Sequence, residues 1–241
     1  MSGHSKWHNI QAKKSKTDAA RAKVFTKIGK EMMIAIREGG PNPDSNSKLA
    51  TLIAKAKSNN VPNDNIDRII KKASGADAVA YEEITYEGYG PNGVAIIVET
   101  ATDNRNRTAG SVRHYFDKFH GNLGTSGSVS FLFSDAGVIT ISNEDGDIDA
   151  DKLMEDALEA GASDFIDEGD VLEIRTEPDD LNAVRDALTG LGYELLDADV
   201  AKVPSNYIKL EDEESIKWMG LLLDALDEDD DVQNVWHNWE E

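Results

Sequence analysis

Lysine side chains recur near the start of the chain at a spacing that suits phosphate binding. From Asp18 to about Glu38, apolar residues return every three or four positions, which predicts a helix that buries Phe25, Met32 and Ile36. On the opposite side of that helix, lysines lie within roughly 60° of one another: Lys16, Lys23, Lys27 and Lys30. Ammonium groups spread along about 20 Å of helix can contact a row of phosphates. The spacing therefore predicts a cationic stripe for a polyanion.

The segment ahead of this helix carries further lysines and an aromatic side chain. Lys6, Lys13 and Lys14 extend the basic character towards the N-terminus. Trp7 could stack on unpaired bases, as aromatic side chains do in proteins that bind single-stranded RNA. The same indole could instead fill the core of the helical region, and the sequence leaves both interpretations open.

Charge is divided unevenly along the chain. The 241 residues carry 25 Lys plus Arg against 46 Asp plus Glu, a formal net charge of -21. Residues 1–75 hold 15 basic and 6 acidic side chains, a net of +9, whereas the remaining 166 residues hold 10 and 40, a net of -30. This asymmetry is typical of a basic module for a polyanion joined to an acidic body that repels it elsewhere. Alternatively, each part is only kept soluble by its own charge.

Two arginines inside the acidic body suggest a second phosphate contact. In "TDNRNRT", Arg105 and Arg107 stand where a helix is expected to begin. Guanidinium groups beside a helix N-terminus suit an anion, because the helix dipole and the side-chain charge act together. The same arginines could pair with the many carboxylates around them, and the sequence does not choose between the two.

A glycine-rich stretch, "GNLGTSGS" at residues 121–128, resembles a phosphate loop only in composition. A phosphate loop follows a strand and precedes a helix, so that the helix N-terminus faces the anion. Here the expected order is reversed, with a helix before the loop and a strand after it. The stretch is therefore interpreted as a flexible connector.

Other polar residues do not assemble into a catalytic or metal-binding pattern. His4 and His8 are four residues apart but have no third ligand type nearby, and "DALDEDDD" at residues 224–231 is interpreted as a solvated helix end. No serine or cysteine nucleophile signature lies beside a histidine. We therefore expect a protein that is not an enzyme and that uses neither a cofactor nor a metal.

The elements that must position these side chains fall into a helical part and two mixed parts. Three helices are predicted within residues 1–78, and strands and helices alternate after them, including a strand at "SVSFLFS" (128–134). The order β, α, β, β, α, β within 134–204 is that of a ferredoxin-like sandwich. The predicted fold is thus α+β and multidomain. A three-helix domain (1–78) precedes a discontinuous α/β domain (79–133 plus 205–241) and an inserted acidic α/β domain (134–204), both ferredoxin-like.

Composition also limits the compartment. The chain has no cysteine, which excludes disulfides and thiolate metal sites. No apolar run approaches the roughly 20 residues of a membrane span, and no apolar segment follows the basic start as in a secretory signal. A cytoplasmic protein without a membrane partner is expected.

Several stretches together resemble the YebC-type family of probable transcriptional regulatory proteins, which includes the mitochondrial translational activator of cytochrome c oxidase. They are "GHSKWHNIQAKKSKTDAARAKVFTK", "NNVPNDNIDRIIKKASG", "YEGYGPNGVAIIVE" with "TDNRNRT", and "GNLGTSGSVSFLF". The resemblance covers essentially the whole chain. It implies three domains, one helical and two α/β, and a cytoplasmic, non-enzymatic protein in gene expression, described in bacteria as DNA-binding and linked to the ribosome in some members.

The leading hypothesis is a nucleic-acid-binding regulator of gene expression. The residues predicted to contact DNA or ribosomal RNA are Lys6, Trp7, Lys13, Lys14, Lys16, Lys23, Lys27, Lys30, Arg105 and Arg107. Lysine supplies charge without the paired donors that read a base edge, so recognition of a specific operator is not supported by these residues. A ribosome-associated translation factor and an acidic module that docks on the transcription machinery or another basic protein remain as alternatives.

Overall fold

A computed structural model describes residues 18–75 and 79–240 of the chain. These residues form two compact units. One contains 18–129, apart from the gap, together with Glu211–Val235, and the other contains Ser130–Leu210 with 236–240. The fold is α+β, with three helices first and strand-rich sheets after them. The three-domain boundaries at 78, 133 and 204 stay a prediction.

Three helices open the first unit, as the apolar periodicity predicts. They are α1 (Asp18–Gly39), α2 (Ser47–Ser58) and α3 (Asn63–Ala73). Their apolar faces meet in one core, in which Met32 of α1, Leu49 of α2 and Ile66 of α3 are buried. Burying such side chains contributes about 1.5–3 kcal/mol each, which is what holds short helices together.

The turn between α1 and α2 is fixed by one buried amide, that of Asn46. Its Oδ1 accepts a hydrogen bond from the Leu49 backbone N–H at 3.0 Å, which caps α2. Its Nδ2 donates to the carbonyl oxygens of Ala35 and Gly40, both at 2.8 Å, which are at the end of α1. Gly40 adopts φ +85°, a conformation that glycine reaches without strain. One side chain therefore satisfies groups at both helix ends.

The first sheet of the same unit has the strand order β3-β1-β2-β9. Its strands are β1 (Glu82–Tyr89), β2 (Ala95–Thr102), β3 (Asn122–Leu123) and β9 (Val232–His237). Strands β1 and β2 form an antiparallel hairpin from the pair Glu82 and Thr102 to the pair Tyr89 and Ala95. Helices α4 (Arg105–Lys118) and α7 (Glu213–Glu228) belong to this unit. The chain order here is ββαβαβ, because β1 and β2 are joined directly by a tight turn.

The second unit has the βαββαβ order that the sequence predicts. Its elements are β4 (Phe133–Ser142), α5 (Ala150–Ala160), β5 (Asp164–Asp167), β6 (Val171–Thr176), α6 (Leu181–Gly190) and β7 (Leu195–Pro204). The sheet order β5-β6-β4-β7 is the antiparallel arrangement of a ferredoxin-like sandwich. Ile139, Leu172 and Ile174 of the sheet pack with Leu153 of α5 and Val184 of α6. Two short strands, β8 (Ile208–Lys209) and β10 (Trp239–Glu240), pair in parallel.

The strand predicted at 128–134 is wrong over most of its length. Residues Ser130–Leu132 form a 3-10 turn, and the strand begins at Phe133 and continues without interruption to Ser142. Phe133 is the first residue of β4 to pair, opposite Pro204 of β7. The alternation of apolar residues is a local signal. It does not indicate at which residue a strand begins to pair with a partner strand that is distant in the sequence.

We expect the replacement of Asn46 by Ala to lower the free energy of unfolding by about 2–3 kcal/mol, because it removes a helix cap and two buried hydrogen bonds. Asn46→Asp should not recover this loss, since its carboxylate can still accept from Leu49 but would place an oxygen against the carbonyl oxygens of Ala35 and Gly40. Urea unfolding followed by circular dichroism measures the change.

Thr51→Ala is the matched control, because the exposed Thr51 hydroxyl donates only to the Ser47 carbonyl within α2. Its effect should stay within about 0.5 kcal/mol. An Asn46→Ala protein as stable as the Thr51→Ala protein would contradict the role given to the amide.

Candidate nucleic-acid interface

Three of the four lysines of the predicted stripe, Lys23, Lys27 and Lys30, lie on α1 and meet carboxylates of the acidic segment, which we define as Asp227–Asp231. Lys23 and Lys27 both approach Asp227, with Nζ to carboxylate distances of 3.7 and 3.1 Å. Lys30 approaches Asp231 at 2.8 Å. The lysines are spaced at i, i+4 and i+7, so two turns of α1 lie along the end of α7 and the turn that follows it.

Asp231 is the centre of this contact. Its carboxylate accepts hydrogen bonds from Lys30 Nζ at 2.8 Å and Arg107 at 2.7 Å. The hydroxyls of Thr102 and Thr108 also donate to it, at 3.1 and 2.8 Å. Asp231 is 6% exposed, and each of these partners comes from an element that packs around it: α1, α4 and the end of β2. A buried carboxylate needs such donors, because an unpaired buried charge costs several kcal/mol.

Lys30 is satisfied in the same way. Besides Asp231, its ammonium donates to the carbonyl oxygens of Asp230 at 2.7 Å and Ala101 at 3.3 Å. It also lies 5.4 Å from the centre of the Tyr81 ring, within range of a cation–π contact. An ammonium group has three N–H donors. The Asp231 carboxylate and the two backbone carbonyls supply one acceptor oxygen for each of them.

The pKa values of these side chains reflect the same contacts. Burial alone raises the pKa of Asp231, but the hydrogen bonds from Lys30, Arg107 and Thr108 outweigh this and lower its pKa to about 2. The pKa of Lys27 is lowered, because the cost of burial exceeds the compensation from its attraction to Asp227. The pKa of Arg107 is raised, chiefly by its hydrogen bonds to Asp231 and Asp103. The hydrogen bonds to Asp231 thus outweigh the cost of burying its charge, whereas the contacts of Lys27 do not outweigh the cost of burying its ammonium group.

The cationic stripe predicted on α1 does not reach the surface at Lys30, which is 8% exposed. Lys23 and Lys27 are partly covered. The interpretation of "DALDEDDD" as a solvated helix end is wrong at Asp231 for the same reason. Helical spacing shows which lysines share a face, but not that an acidic segment about 200 residues later in the chain covers that face. Contact of these lysines with nucleic acid stays a prediction.

Arg107 and Arg105 differ in their surroundings. Arg107 pairs with Asp103 at 2.9 Å and with Asp231, which favours the carboxylate-pairing alternative for this residue. Its guanidinium is half exposed at a cleft of about 430 Å³. Arg105 is exposed at the start of α4. The predicted contacts at Lys6, Trp7, Lys13, Lys14 and Lys16, like His4 and His8, lie outside the described residues.

The cleft beside Arg107 does not offer a net positive charge. Its lining side chains include two cations and four aspartates: Lys30, Arg107, Asp103, Asp229, Asp230 and Asp231. The two cations already bond to Asp231. A phosphate would therefore meet carboxylates whose charges are not offset, which disfavours this cleft as an anion site.

Exposed cations on α3 form the basic face that the site prediction left out. Arg68, Lys71 and Lys72 are spaced at i, i+3 and i+4, which places them on one side of the helix. All are exposed, while Ile66 is buried on the other side. Within 18–75 and 79–240, no ion pair or hydrogen bond engages their charged groups. Their spacing at the C-terminal half of a short amphipathic helix is the signal that could have identified them.

The glycine-rich loop is held by a carboxylate of the protein itself. Glu87 of β1 is buried and accepts hydrogen bonds from the backbone N–H groups of Gly127 and Val129, both at 2.8 Å. Gly124 N–H donates to the Glu87 carbonyl oxygen at 2.8 Å. The stretch comes after α4, contains the short strand β3 and leads into a 3-10 turn ahead of β4, so the strand predicted directly after it is absent from the described residues. Its N–H groups are used inside the fold, and the connector is tied down at these points.

Metal ligands do not converge in the part of the chain that the structure describes. No group of three or more His, Asp or Glu side chains there is arranged to hold a metal ion. None of the helices in this part combines the length and the apolar character that crossing a membrane requires.

Two family matches together span nearly the whole chain. Residues 5–76 match the family described as the TACO1/YebC protein N-terminal domain, and residues 81–239 match the TACO1/YebC second and third domain. The boundary between the two matches falls between α3 and β1.

Close relatives share this full length. The chain is 53% identical over 242 residues to a "Probable transcriptional regulatory protein" of Lachnoclostridium phytofermentans, and both chains are covered completely. It is 55% identical to a protein of the same description from Agathobacter rectalis, again over 100% of each chain. A solved structure, described as a conserved hypothetical protein of Aquifex aeolicus, is similar with a TM-score of 0.84 and 43% identity. The similarity covers 92% of this chain and 91% of that one.

The low pKa of Asp231 predicts a specific acid sensitivity. In the unfolded chain the carboxyl has its ordinary pKa near 3.8, so the stability contributed by Asp231 is fully present above about pH 4 and is lost as the pH falls towards about 2. The loss should amount to about 2 kcal/mol. Asp231→Asn should lack this component, and it should be about 3–5 kcal/mol less stable at neutral pH because Lys30 stays buried without its counter-charge.

Urea unfolding at a series of pH values, followed by tryptophan fluorescence, measures both effects. Asp117→Asn, at an exposed position of α4, is the control and should follow wild type. If wild type and Asp231→Asn lose stability in parallel below pH 4, Asp231 does not carry the acid sensitivity.

The Glu87 contact predicts that Glu87→Gln loosens the glycine-rich loop. The amide offers one acceptor oxygen instead of two, so either Gly127 or Val129 loses its acceptor, which should cost about 1–3 kcal/mol. Hydrogen exchange at these two amides should accelerate beyond the change at the rest of β1. Glu82→Gln, at the exposed start of the same strand, is the control and should leave loop exchange unchanged.

Proposed function

Since the chain belongs to the TACO1/YebC family, we propose that it is a nucleic-acid-binding regulator of gene expression that acts without catalysis, in the cytoplasm. The full-length relatives described as probable transcriptional regulatory proteins support a regulatory role. The described residues add a helical module with exposed cations on α3.

The observation that carries this proposal is the exposed face of α3 formed by Arg68, Lys71 and Lys72. Three cations within little more than one helical turn, about 6 Å along the axis, can contact adjacent phosphates. Cations near the C-terminus of a helix interact favourably with the helix dipole. The three side chains can therefore stay charged and exposed when no ligand is bound. The rest of the chain is strongly acidic and would repel a polyanion, which directs an approaching nucleic acid to this module.

The proposal also includes the basic stretch that precedes α1 in the sequence. Lys6, Lys13, Lys14 and Lys16 add positive charge, and Trp7 adds a surface on which a base could stack. Arg105, exposed at the start of α4, is the second point of contact that we propose within the acidic body.

The side chains on α3 favour recognition of a phosphate backbone over reading of base edges. Reading a duplex in its major groove uses Arg, Asn or Gln presented together on a helix that enters the groove. On α3 a single arginine is accompanied by two lysines and, at the exposed positions Asp64 and Asp67, by carboxylates that would repel the duplex. Phosphates belong to DNA and RNA alike, so a ribosome-associated translation factor that binds ribosomal RNA is the second candidate function.

Neutralising the α3 face should weaken nucleic-acid binding and its dependence on salt. For the combined Arg68→Gln, Lys71→Gln and Lys72→Gln variant, the slope of log affinity against log salt should decrease by about 2–3, since each lost phosphate contact contributes about 0.7–0.9. Fluorescence anisotropy with mixed-sequence duplex DNA, a structured RNA and purified ribosomes across a salt series measures this. Loss on all three probes indicates general phosphate contact, and loss on the RNA and ribosomes alone favours translation.

The matched control changes the same net charge elsewhere. Lys152→Gln, Arg185→Gln and Lys202→Gln remove three cations from the second unit and should leave the slope unchanged. Equal slopes for the α3 variant, the control and wild type would refute the proposed face.

A further inference from the structure

The acidic segment (Asp227–Asp231) meets the lysines of α1 as a phosphate backbone would. Asp227 lies between Lys23 and Lys27, one anionic group shared by two ammonium groups, and Asp231 follows at Lys30. Carboxylate and phosphate oxygens make the same charge-assisted hydrogen bonds to lysine. A nucleic acid and the acidic segment would therefore compete for lysines of α1.

We propose that the acidic segment is an intramolecular competitor for nucleic acid, which covers Lys23 and Lys27 in the free protein and is displaced from them when a phosphate backbone binds. This rests on the function proposed above and adds a regulated part to the same basic module. The face on α3 makes the first contact, and the lysines of α1 are added to it on displacement.

The two halves of the contact differ in how firmly they hold. At the inner half, Lys30 and Asp231 have 9% exposed side chains and satisfy each other together with Arg107, Thr102 and Thr108. At the outer half, the exposed fractions are 24% for Lys23, 13% for Lys27 and 17% for Asp227. Water and salt reach this outer half and screen its ion pairs. Displacement therefore begins at Asp227, while Asp231 keeps the middle of α1 in place.

Displacement would relieve the burial of Lys27, whose Nζ lies 3.1 Å from the Asp227 carboxylate. Its pKa is lowered because burial costs more than Asp227 returns, which means that the charged ammonium is held under less favourable conditions than in water. A phosphate that approaches from solvent would supply negative charge without requiring the same burial.

A second feature is a cavity between α1, α2 and the sheet. The Gln233 side chain of β9 is buried, and neither its Nε2 nor its Oε1 has a hydrogen-bond partner among the described residues. It lines a cavity of about 250 Å³ together with Glu31 of α1, Leu52 of α2 and Glu99 of β2. The helices and the sheet are therefore not closely packed at this point.

Removing the competitor should strengthen binding. Asp227→Asn should bind mixed-sequence duplex DNA or duplex RNA about fivefold more tightly than wild type, the size expected for the loss of a partly exposed ion pair. Its salt slope should be steeper by about 1–2, because Lys23 and Lys27 now contact phosphates. Glu228→Gln is the matched control, since it removes the same charge from the adjacent exposed residue.

A second measurement reports displacement directly. The chain has no cysteine, so Ala50→Cys on α2 and Ile216→Cys on α7, both exposed, can carry a pair of spin labels. The distance between them should lengthen or broaden when the duplex is added to wild type. It should already be broader in Asp227→Asn without the duplex, and unchanged in Glu228→Gln.

The outcomes separate this inference from the proposed function. If wild type binds the duplexes but Asp227→Asn binds no more tightly than Glu228→Gln, the competitor is refuted and the proposed function stands. If neither wild type nor Asp227→Asn binds duplex DNA, duplex RNA or ribosomes, both are refuted. An unchanged label distance on binding also overturns the displacement.

Discussion

The ion pair between Lys30 and Asp231 joins the helical module to the first sheet, and the rest of that unit depends on it. Asp231 stands at the start of β9 and gathers donors from α1, α4 and the end of β2. Each donor also fixes its own element: Thr108 lies in the first turns of α4, and Lys30 lies in the middle of α1. A buried carboxylate accepts this position only when all its donors are present, so the four elements are coupled.

This coupling explains why a chain with so much negative charge has a basic start. Part of the positive charge of residues 1–75 is used inside the first unit, where it neutralises Asp227 and Asp231. Exposed side chains supply what remains for a partner, and on α3 they stand away from the acidic segment in sequence and in contact. Net charge by region therefore overstates the cationic surface, because it counts side chains that the protein pairs with its own carboxylates.

Local sequence patterns predicted the helices and strands, whereas contacts between residues far apart in the chain determine which side chains form the candidate site. The periodicity of Phe25, Met32 and Ile36 located α1, and the βαββαβ order located the second unit, because both signals repeat within a few residues. The pairing of Lys30 with Asp231 joins residues 201 positions apart, and no periodicity extends that far. The misplaced strand at 128–134 has the same origin, since the pairing of Phe133 with Pro204 sets where β4 begins.

Anion recognition in the sequence proved ambiguous for one physical reason, which the loop at 121–128 and the lysines of α1 share. Backbone N–H groups and ammonium groups bind a carboxylate as readily as a phosphate, and this chain supplies its own carboxylates: Glu87 to the loop and Asp227 and Asp231 to the lysines. In a very acidic protein, the protein's own carboxylates therefore compete with an external anion for a cationic motif. Solvent exposure distinguishes a group that binds an external anion from one that binds a carboxylate of the protein, because an external anion must be able to reach its donor. By that criterion Arg68, Lys71 and Lys72 are ready for a ligand in the free protein, whereas Lys23 and Lys27 become ready only when Asp227 leaves them.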